Sequence, residues 1–245
     1  MATKSKWEDR RAVIFDDEEF EHVRPLNPVY FYDDFLGAYT TIPAGGALES
    51  GCTWATKIVG AAPPTVALVA DGATGVAQCA LTNANQKQDA GLYWADDRRF
   101  LITQGVVFEA RVKLSVLPTD VAEIVWGLIG DWADGPDNIT YSIFFTADGS
   151  GEIFCEKDDD NTDQSATSGV TVTNAQWKVY RIDCRDVTSI KFYINGARVA
   201  SGTTYPYVAT GANATLQPYL GPYKATGTGV GTIQVDYVRI WGNRS

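Results

Sequence analysis

The residues that could carry out nucleophilic, metal or phosphate chemistry are few and widely spaced in this chain. His22 is the only histidine, so a Ser-His-Asp or Cys-His mechanism would have to use it. A histidine-rich zinc site is excluded, and the wide spacing of the four cysteines disfavours a four-cysteine site. The run Gly227-x-Gly229-x-Gly231 indicates a flexible turn before a strand, not a phosphate-binding loop that opens a helix.

Charge and targeting signals exclude further classes of protein. The 30 acidic and 20 basic residues give a net charge of −10, which favours solubility and disfavours direct binding to nucleic acid. The start, MATKSKWEDRR, lacks the apolar segment of a secretory signal, and no run of 18 apolar residues predicts a membrane span. Without export, we expect Cys52, Cys79, Cys155 and Cys184 to be reduced and mostly buried.

The elements that must position any site are predicted to be β-strands. The clearest pattern, WKVYRIDCRDVTSIKFYINGARV at residues 177–199, predicts two amphipathic strands, because side chains alternate between the two faces of a strand. Their core faces are predicted to be Tyr180, Ile182 and Cys184 in the first strand, and Ile190, Phe192 and Ile194 in the second. Asn195-Gly196 is typical of a hairpin turn.

Further short strands are predicted along the rest of the chain. They cover residues 29–35, 52–59, 65–70, 76–81, 106–114, 123–129, 139–146, 152–157, 216–220 and 233–241. Residues 83–89 are predicted as a short helical turn and residues 158–169 as an acidic polar loop. Many short strands separated by Gly and Pro turns favour an all-β antiparallel sandwich, here one domain over residues 29–245.

Residues 1–28 are predicted to form an N-terminal arm outside this domain. The arm is rich in charge, and its scattered apolar residues cannot form a core of their own. Trp7, Ile14, Phe15 and Phe20 would then be anchors that bind a partner, because large apolar side chains on an arm commonly mark contact sites. The alternative is a disordered tail, with a short helix around residues 16–22.

Three stretches resemble the concanavalin A-like lectin/glucanase superfamily. FYDDF at residues 31–35 is similar to its opening strand, residues 177–199 to its W-x-x-Y-x-I…I-x-F-Y-I-N/D-G hairpin, and residues 233–241 to its closing V-D-Y-V-R-V/I-W/Y strand. Family 16 glycoside hydrolases and laminin-G-like lectin modules carry versions of this set. The resemblance covers roughly residues 29–245 and implies a concanavalin A-like jelly roll.

The enzymes of this superfamily that the chain resembles are retaining glycosidases, which need two carboxylates about 5–5.5 Å apart. A strand supplies them with acidic residues at i, i+2 and i+4. Glu123 begins the strand expected to carry them, but Val125 and Gly127 take the following positions. Glu152 and Glu156 share a strand face, yet their Cα atoms would lie about 13 Å apart. The catalytic motif is therefore predicted to be missing, and the chain is predicted not to be an enzyme.

The resemblance implies one cofactor, a structural calcium ion held by Asp236 of the closing strand together with backbone carbonyls. The alternative is a buried aspartate that bonds to backbone amides. A second acidic loop, residues 131–138, is typical of a solvated turn. Trp132, Trp94 and Tyr193 are candidates for stacking on a sugar, although Trp132 could instead cap the edge of the sandwich.

Three functions follow from these observations. The missing catalytic motif, the missing export signal and the arm favour a non-enzymatic virion structural protein, since the chain resembles lectin-like proteins of tailed-phage virions. It would be a capsid decoration protein made in the host cytoplasm, whose arm docks on the major capsid protein or another virion protein, with a homo-oligomer left open. The alternatives are a carbohydrate-binding module or tail receptor-binding protein that recognises a surface glycan, and a divergent β-glucanase.

Overall fold

The computed structural model of the chain describes residues 29–36, 54–70 and 75–243 in full, and the backbone of three strands that precede them. These strands, β1 (Thr3–Glu8), β2 (Arg11–Asp16) and β3 (His22–Val23), pair as one antiparallel sheet. Trp7 lies in β1, and Ile14 and Phe15 lie in β2. Their side chains, and the whole of Phe20, lie outside the described residues. In the described part of the chain, no helix is long and apolar enough to cross a membrane.

Two eight-stranded antiparallel sheets pack face to face, which is the predicted sandwich. The front sheet has the order β14-β13-β12-β11-β18-β8-β5, with β9 paired to β18; the back sheet has the order β17-β16-β15-β10-β19-β7-β6, with β4 paired to β19. The front strands are β5 (Ala55–Val59), β8 (Gln88–Tyr93), β9 (Phe100–Leu101), β11 (Glu123–Ile129), β12 (Tyr141–Ala147), β13 (Glu152–Asp159), β14 (Asp163–Thr171) and β18 (Thr215–Lys224). The back strands are β4 (Val29–Asp33), β6 (Thr65–Leu68), β7 (Ala77–Ala80), β10 (Val107–Val116), β15 (Trp177–Asp183), β16 (Lys191–Ile194), β17 (Ala197–Val199) and β19 (Thr232–Gly242). Short 3-10 helices cover Ile102–Gln104, Pro136–Asn138 and Gly211–Ala214.

The core between the sheets confirms the predicted strand faces. The six predicted core residues of the hairpin are all buried: Tyr180, Ile182, Cys184, Ile190, Phe192 and Ile194. Asn195 and Gly196 both have positive φ, 50° and 80°, as the predicted hairpin turn requires. Across the core, Trp126 of β11 meets Tyr180 of β15 edge to face, with ring centroids 4.9 Å apart. Three cysteines, Cys79, Cys155 and Cys184, are buried free thiols as predicted, and Cys52 lies outside the described residues.

Two segments that were not predicted as strands contain strand residues in the structure. The predicted acidic loop contains β14, an edge strand whose residues alternate between exposed and half-buried. Its half-buried face mixes Gln164 and Ser168 with Ala166 and Val170, so it lacks the continuous apolar face of a core strand. The predicted helical turn runs into β8, which is buried at all six positions and therefore shows no alternation either. For β18 the sequence predicted only residues 216–220, because Pro218 and Pro222 cannot donate to a sheet ladder and are not typical of a central strand.

Candidate functional site

The loop of residues 130–140, between β11 and β12, covers the centre of the outer face of the front sheet. Beneath it lies a second apolar cluster, on which Trp132 and Ala133 pack: Ala55, Tyr93, Val125, Ile129, Ile139, Phe144 and Tyr219. The backbone N–H of Trp132 donates to Oδ1 of Asp96 at 2.8 Å. The Nε2 group of Gln217 donates to the same Oδ1 at 2.9 Å and to the carbonyl of Gly130 at 2.8 Å. These bonds fix the loop to the sheet, and a separate recess lies on each side of it.

Trp132 is held flat on the sheet by Tyr219. The two rings are stacked with centroids 4.3 Å apart and planes inclined by 13°. Tyr219 is itself fully buried and lies over two glycines of the sheet, Gly91 and Gly221. A Cβ atom on Gly91 would come within 2.6 Å of the Tyr219 ring, and one on Gly221 within 2.9 Å of its hydroxyl. The two glycines therefore form a trough that only a side chain lying flat on the backbone can fill.

The larger recess is a cleft of about 370 Å³ beside Trp132. It is lined by Lys57, Val59, Lys87, Asp89, Trp132, Ala133 and Asp134. Its volume falls in the range of about 300–1,000 Å³ that is typical of small-ligand sites. Lys87 and Asp134 form an exposed ion pair at 2.6 Å on its rim. The cleft thus combines one aromatic wall with several charged groups.

Asp89 is the buried carboxyl of this cleft. It is 1% exposed, and the hydroxyl of Tyr219 donates to its Oδ1 at 2.9 Å. Burial raises the pKa of Asp89 to about 7, while the Tyr219 hydrogen bond and the ammonium of Lys57 oppose the rise. Near neutral pH this carboxyl is present in both forms, so it can donate or accept a hydrogen bond within the cleft.

The smaller recess lies on the other side of the loop and is acidic. It is lined by Pro136, Asp137, Ile139, Ser142, Phe144, Glu156, Asp158 and Asp163. Glu156 and Asp158 share one face of β13, and Asp158 lies opposite Asp163 of β14. Burial raises the pKa of Glu156 to about 7, and the charges of Asp163 and Asp137 add to the rise. The recess has a volume of only about 20 Å³, which is room for about one water molecule.

Glu123 is the third carboxyl of this face. It lies in one cross-strand row with Tyr223 of β18 and Asp89 of β8, so the Cα atoms of Glu123 and Asp89 are about 10 Å apart. Burial raises the pKa of Glu123 to about 7, with contributions from Asp137 and Glu156. Glu152, at the start of β13, accepts a hydrogen bond from the hydroxyl of Thr167. Glu156, Asp158 and Asp163 therefore share the small recess, whereas Glu123 and Asp89 lie in another row of the sheet.

The family comparison decides which sandwich this is. A family model described as the concanavalin A-like lectin/glucanases superfamily matches residues 86–244. The chain belongs to the concanavalin A-like lectin/glucanase superfamily. Asp89, Trp132 and Tyr219 lie inside the matched range, whereas Lys57 and Val59 precede it. A comparison with curated proteins finds no match.

Solved structures that resemble this superfamily member have varied activities in their names. They include an endo-beta-1,4-glucuronan lyase from the fungus Trichoderma reesei, at 14% identity and a TM-score of 0.54 over 87% of this chain and 95% of that chain. The carbohydrate recognition domain of Emp47p matches at 10% identity and a TM-score of 0.54 over 86% and 94%. A pseudo beta-1,3-glucanase of Mycobacterium tuberculosis matches at 17% identity and a TM-score of 0.53 over 87% and 98%. At such identities the likeness shows the fold alone, and the fold does not choose between binding and catalysis.

The structure separates the three aromatic residues that the sequence suggested for sugar stacking in this superfamily member. Trp132 lines the cleft. Trp94 is 8% exposed and packs in the main core against Phe31, with ring centroids 4.9 Å apart, so it offers no open ring face to a glycan. Tyr193 lies on the back sheet beneath the guanidinium of Arg181. Asp89 and Tyr219 were not predicted as site residues from the sequence. The two-residue spacing of Tyr219, Gly221 and Tyr223 indicates that these three residues share one strand face.

Asp236, the expected calcium ligand of the superfamily, is bound to a cation of the protein itself. Its Oδ2 accepts a hydrogen bond from Nη1 of Arg111 at 2.6 Å. A guanidinium at this distance takes the position of a coordinated cation, so the carboxylate does not fit the ligand role. No group of three or more His, Cys, Asp or Glu residues in the described part of the chain could hold a metal ion. Calcium binding stays a prediction without a ligand set.

Proposed function

We propose that this superfamily member is a non-catalytic glycan-binding protein whose sugar lies in the cleft beside Trp132. One observation carries the proposal: the Trp132 ring, stacked on Tyr219, forms a wall of a 370 Å³ cleft that also contains Asp89. A rigid aromatic ring packs against the apolar face of a sugar, while convergent polar groups bond to its hydroxyls. Asp89 and Lys57 are the groups that would form these bonds.

The carboxyl geometry supports binding in preference to hydrolysis. Retaining glycosidases place two carboxyls about 5–5.5 Å apart and inverting ones about 6.5–9.5 Å apart, with the scissile bond between them. Glu156 and Asp158, two residues apart on one strand face, come nearest to such a pair. The 20 Å³ recess that they line has room for one water and not for a sugar ring. In the cleft itself, Asp134 is paired with Lys87.

A glycan array with the full-length protein tests the proposal. We expect saturable binding to a neutral glycan that weakens at least tenfold in Trp132→Ala. Tyr193→Ala, which alters a tyrosine of the other sheet, is the matched control and should bind as the unaltered protein does. An array without saturable binding, or equal losses in both variants, contradicts the proposed cleft. Turnover of any bound glycan that disappears in Glu156→Gln or Glu123→Gln contradicts the non-catalytic part.

A second proposal concerns where this domain works. We propose that residues 1–28 attach it to a virion as a capsid decoration protein, with the major capsid protein as partner. Within the described residues, β1, β2 and β3 pair only with one another and not with the sandwich, which suits a separate attachment segment. The proposal that the particle is a virion is supported by the resemblance to lectin-like virion proteins that lack the catalytic motif.

Deleting residues 1–28 tests the attachment. The truncated protein should retain its glycan binding but no longer co-sediment with purified particles, whereas the full chain should occupy them to saturation. Full occupancy by the truncated protein would contradict the role of the arm. If the full chain co-sediments with none of the purified particles, the virion role is contradicted, and the proposal of glycan binding in the cleft still stands.

A further inference from the structure

The outer face of the back sheet carries a row of arginine and tyrosine side chains that lies far from the cleft. Cross-strand pairing aligns six residues, one on each of six strands. They are Tyr32 on β4, Arg239 on β19, Glu109 on β10, Arg181 on β15, Tyr193 on β16 and Arg198 on β17. Five strand spacings make this arginine–tyrosine row about 24 Å long.

Positive charge predominates on this face of an acidic protein. The cations at outward positions are Arg111, Lys113, Arg181, Lys191, Arg198 and Arg239, and the carboxylates are Glu109, Asp183 and Asp236. The whole chain has a net charge of −10, so the excess of cations here runs against the composition. The charges of the protein are therefore segregated between its faces.

The carboxylates of this face are buried beneath the cations. Glu109 is 5% exposed and accepts hydrogen bonds from the hydroxyl of Tyr237 at 2.8 Å and from Nη2 of Arg239 at 2.8 Å. Asp236 is 8% exposed and bonded to Arg111. By contrast Arg198 is exposed, and the side chain of Arg239 is still 43% exposed although it is paired with Glu109. The surface that meets an incoming molecule is therefore cationic.

Aromatic rings hold these cations in place. The guanidinium of Arg181 lies 4.4 Å from the ring centre of Tyr193, and that of Arg239 lies 5.0 Å from Trp241. Arg111 and Lys113 lie 4.9 and 4.7 Å from the ring of Trp177. Cation–π contacts restrict long flexible side chains before a ligand arrives, so less conformational entropy is lost on binding. The result is a flat and preorganised cationic face.

We propose that this face binds an anionic polysaccharide, a linear chain of sugars that carries carboxylate or sulfate groups. Arg239, Arg181 and Arg198 stand on every second strand, about 10 Å apart. A straight polymer with regularly repeated acidic groups can reach all three along the row. The exposed guanidinium fork of Arg198 can bind a carboxylate or sulfate through two parallel hydrogen bonds, and Arg181 and Arg239 add positive charge along the row. Because the face belongs to the opposite sheet, this site is independent of the cleft.

Single-stranded nucleic acid fits the face less well. Proteins that bind single strands offer open aromatic faces on which successive bases stack, within a positively charged groove. Here a cation covers one face each of Tyr193, Trp241 and Trp177, and the row lies on a sheet surface instead of in a groove.

Affinity electrophoresis of the full-length protein tests the proposal. The gels contain polygalacturonate, dextran sulfate, neutral dextran or single-stranded DNA. We expect retardation by at least one acidic polysaccharide and none by neutral dextran, with a dissociation constant that rises steeply with salt. The Arg181→Gln/Arg198→Glu double variant should bind at least tenfold more weakly. Arg181→Lys/Arg198→Lys should lose less, because it keeps the charge but not the fork.

The controls separate this site from the cleft and from a folding defect. Trp132→Ala should bind the acidic polysaccharide as the unaltered protein does, whatever it does to neutral glycans. Thermal unfolding should show that the double variant is folded, and Arg198→Glu alone, at an exposed position, should already weaken binding. Retardation by only one acidic polymer supports the proposal and identifies the acidic group. No retardation by either, stronger retardation by DNA, or an unaltered double variant would overturn it.

Discussion

The indole ring of Trp132 is stacked in parallel on the phenol ring of Tyr219, with ring centroids 4.3 Å apart. The hydroxyl group of the same Tyr219 donates a hydrogen bond to Oδ1 of Asp89, with 2.9 Å between the two oxygen atoms. One buried tyrosine therefore supports the aromatic wall of the cleft and also controls the carboxyl within it. Changes at Tyr219 can separate these two contributions, because its ring and its hydroxyl act on different neighbours.

Replacing Tyr219 by Phe should alter Asp89 and leave the stacking in place. The Tyr219 hydrogen bond lowers the pKa of Asp89, which burial raises to about 7, so its loss should raise that pKa further. The unfolding free energy should fall by about 1–2 kcal/mol, because the buried carboxyl loses a partner. Carbon-detected NMR titration of the aspartate carboxyls, together with urea unfolding, measures both effects. A lower or unaltered pKa of Asp89 would contradict the assigned hydrogen bond.

Much of the fold could be predicted because period-two alternation marks a strand with one buried face. This holds for residues 177–199, whose predicted core residues are all buried. Glu123–Ile129 was predicted by a different signal, a continuous apolar run, which is typical of a central strand buried on both faces. The alternation fails for β8, buried at every position, and for β14, whose half-buried face mixes polar and apolar residues. In those two strands the environment is set by neighbouring strands and not by a pattern within the segment.

The candidate site could be predicted only in part. Trp132 was identified from its residue type, but so was Trp94, and side-chain burial alone separates them. Asp89 and Tyr219 are 130 residues apart in sequence. Their contact depends on the register of β8 against β18, which no local pattern specifies. The acidic character of Glu156 and Asp158 was visible, but not the loop that closes over them.

Replacing Gly91 by Ala should disturb the trough beneath Tyr219. The new Cβ would lie 2.6 Å from the Tyr219 ring, which Trp132 covers from the other side. Overpacking of this kind costs about 1–3 kcal/mol, and displacement of the stacked rings should also weaken glycan binding. Gly202→Ala is the matched control, because a Cβ there meets no atom within 4 Å. Equal unfolding free energies for the two variants in chemical denaturation would argue against the trough.

Replacing Lys224 by Met should destabilise the end of the sandwich that leads into β8. Its buried ammonium donates to the carbonyls of Thr82, Ala84 and Gly229 at 2.8, 2.8 and 2.9 Å. Without the ammonium these three buried carbonyls lose their hydrogen-bond donor, so we expect the unfolding free energy to fall by about 1–3 kcal/mol. Hydrogen exchange should quicken in residues 82–88. Lys178→Met, at a half-buried lysine of β15, provides the comparison, and an equally small loss in both would contradict this role.

Glu156 should make the protein less stable as the pH rises from about 4.5 to 7. Its pKa is raised from 4.5 to about 7 in the folded protein, so over this interval the folded state holds a proton that the unfolded state has released. By linkage, the unfolding free energy falls as the pH rises through the interval and is then constant with respect to this group. Glu156→Gln removes this contribution to the pH dependence of the unfolding free energy, because the amide carries no charge at any of these pH values.

The variant should therefore match the unaltered protein at pH 4 and exceed its unfolding free energy at pH 8. We expect a gain of about 1–3 kcal/mol at pH 8, since Glu156 is half-buried and solvent screens part of the effect. Asp137→Asn separates the effect of charge from that of burial. Asp137 is exposed, and its charge raises the pKa of both Glu156 and Glu123. Asp137→Asn should therefore reproduce part of the gain in unfolding free energy at pH 8 while both glutamates stay in place. Urea unfolding at pH 4, 6 and 8 measures the three proteins. A gain for Glu156→Gln that is equal at pH 4 and pH 8 would mean that packing, and not the buried charge, is responsible.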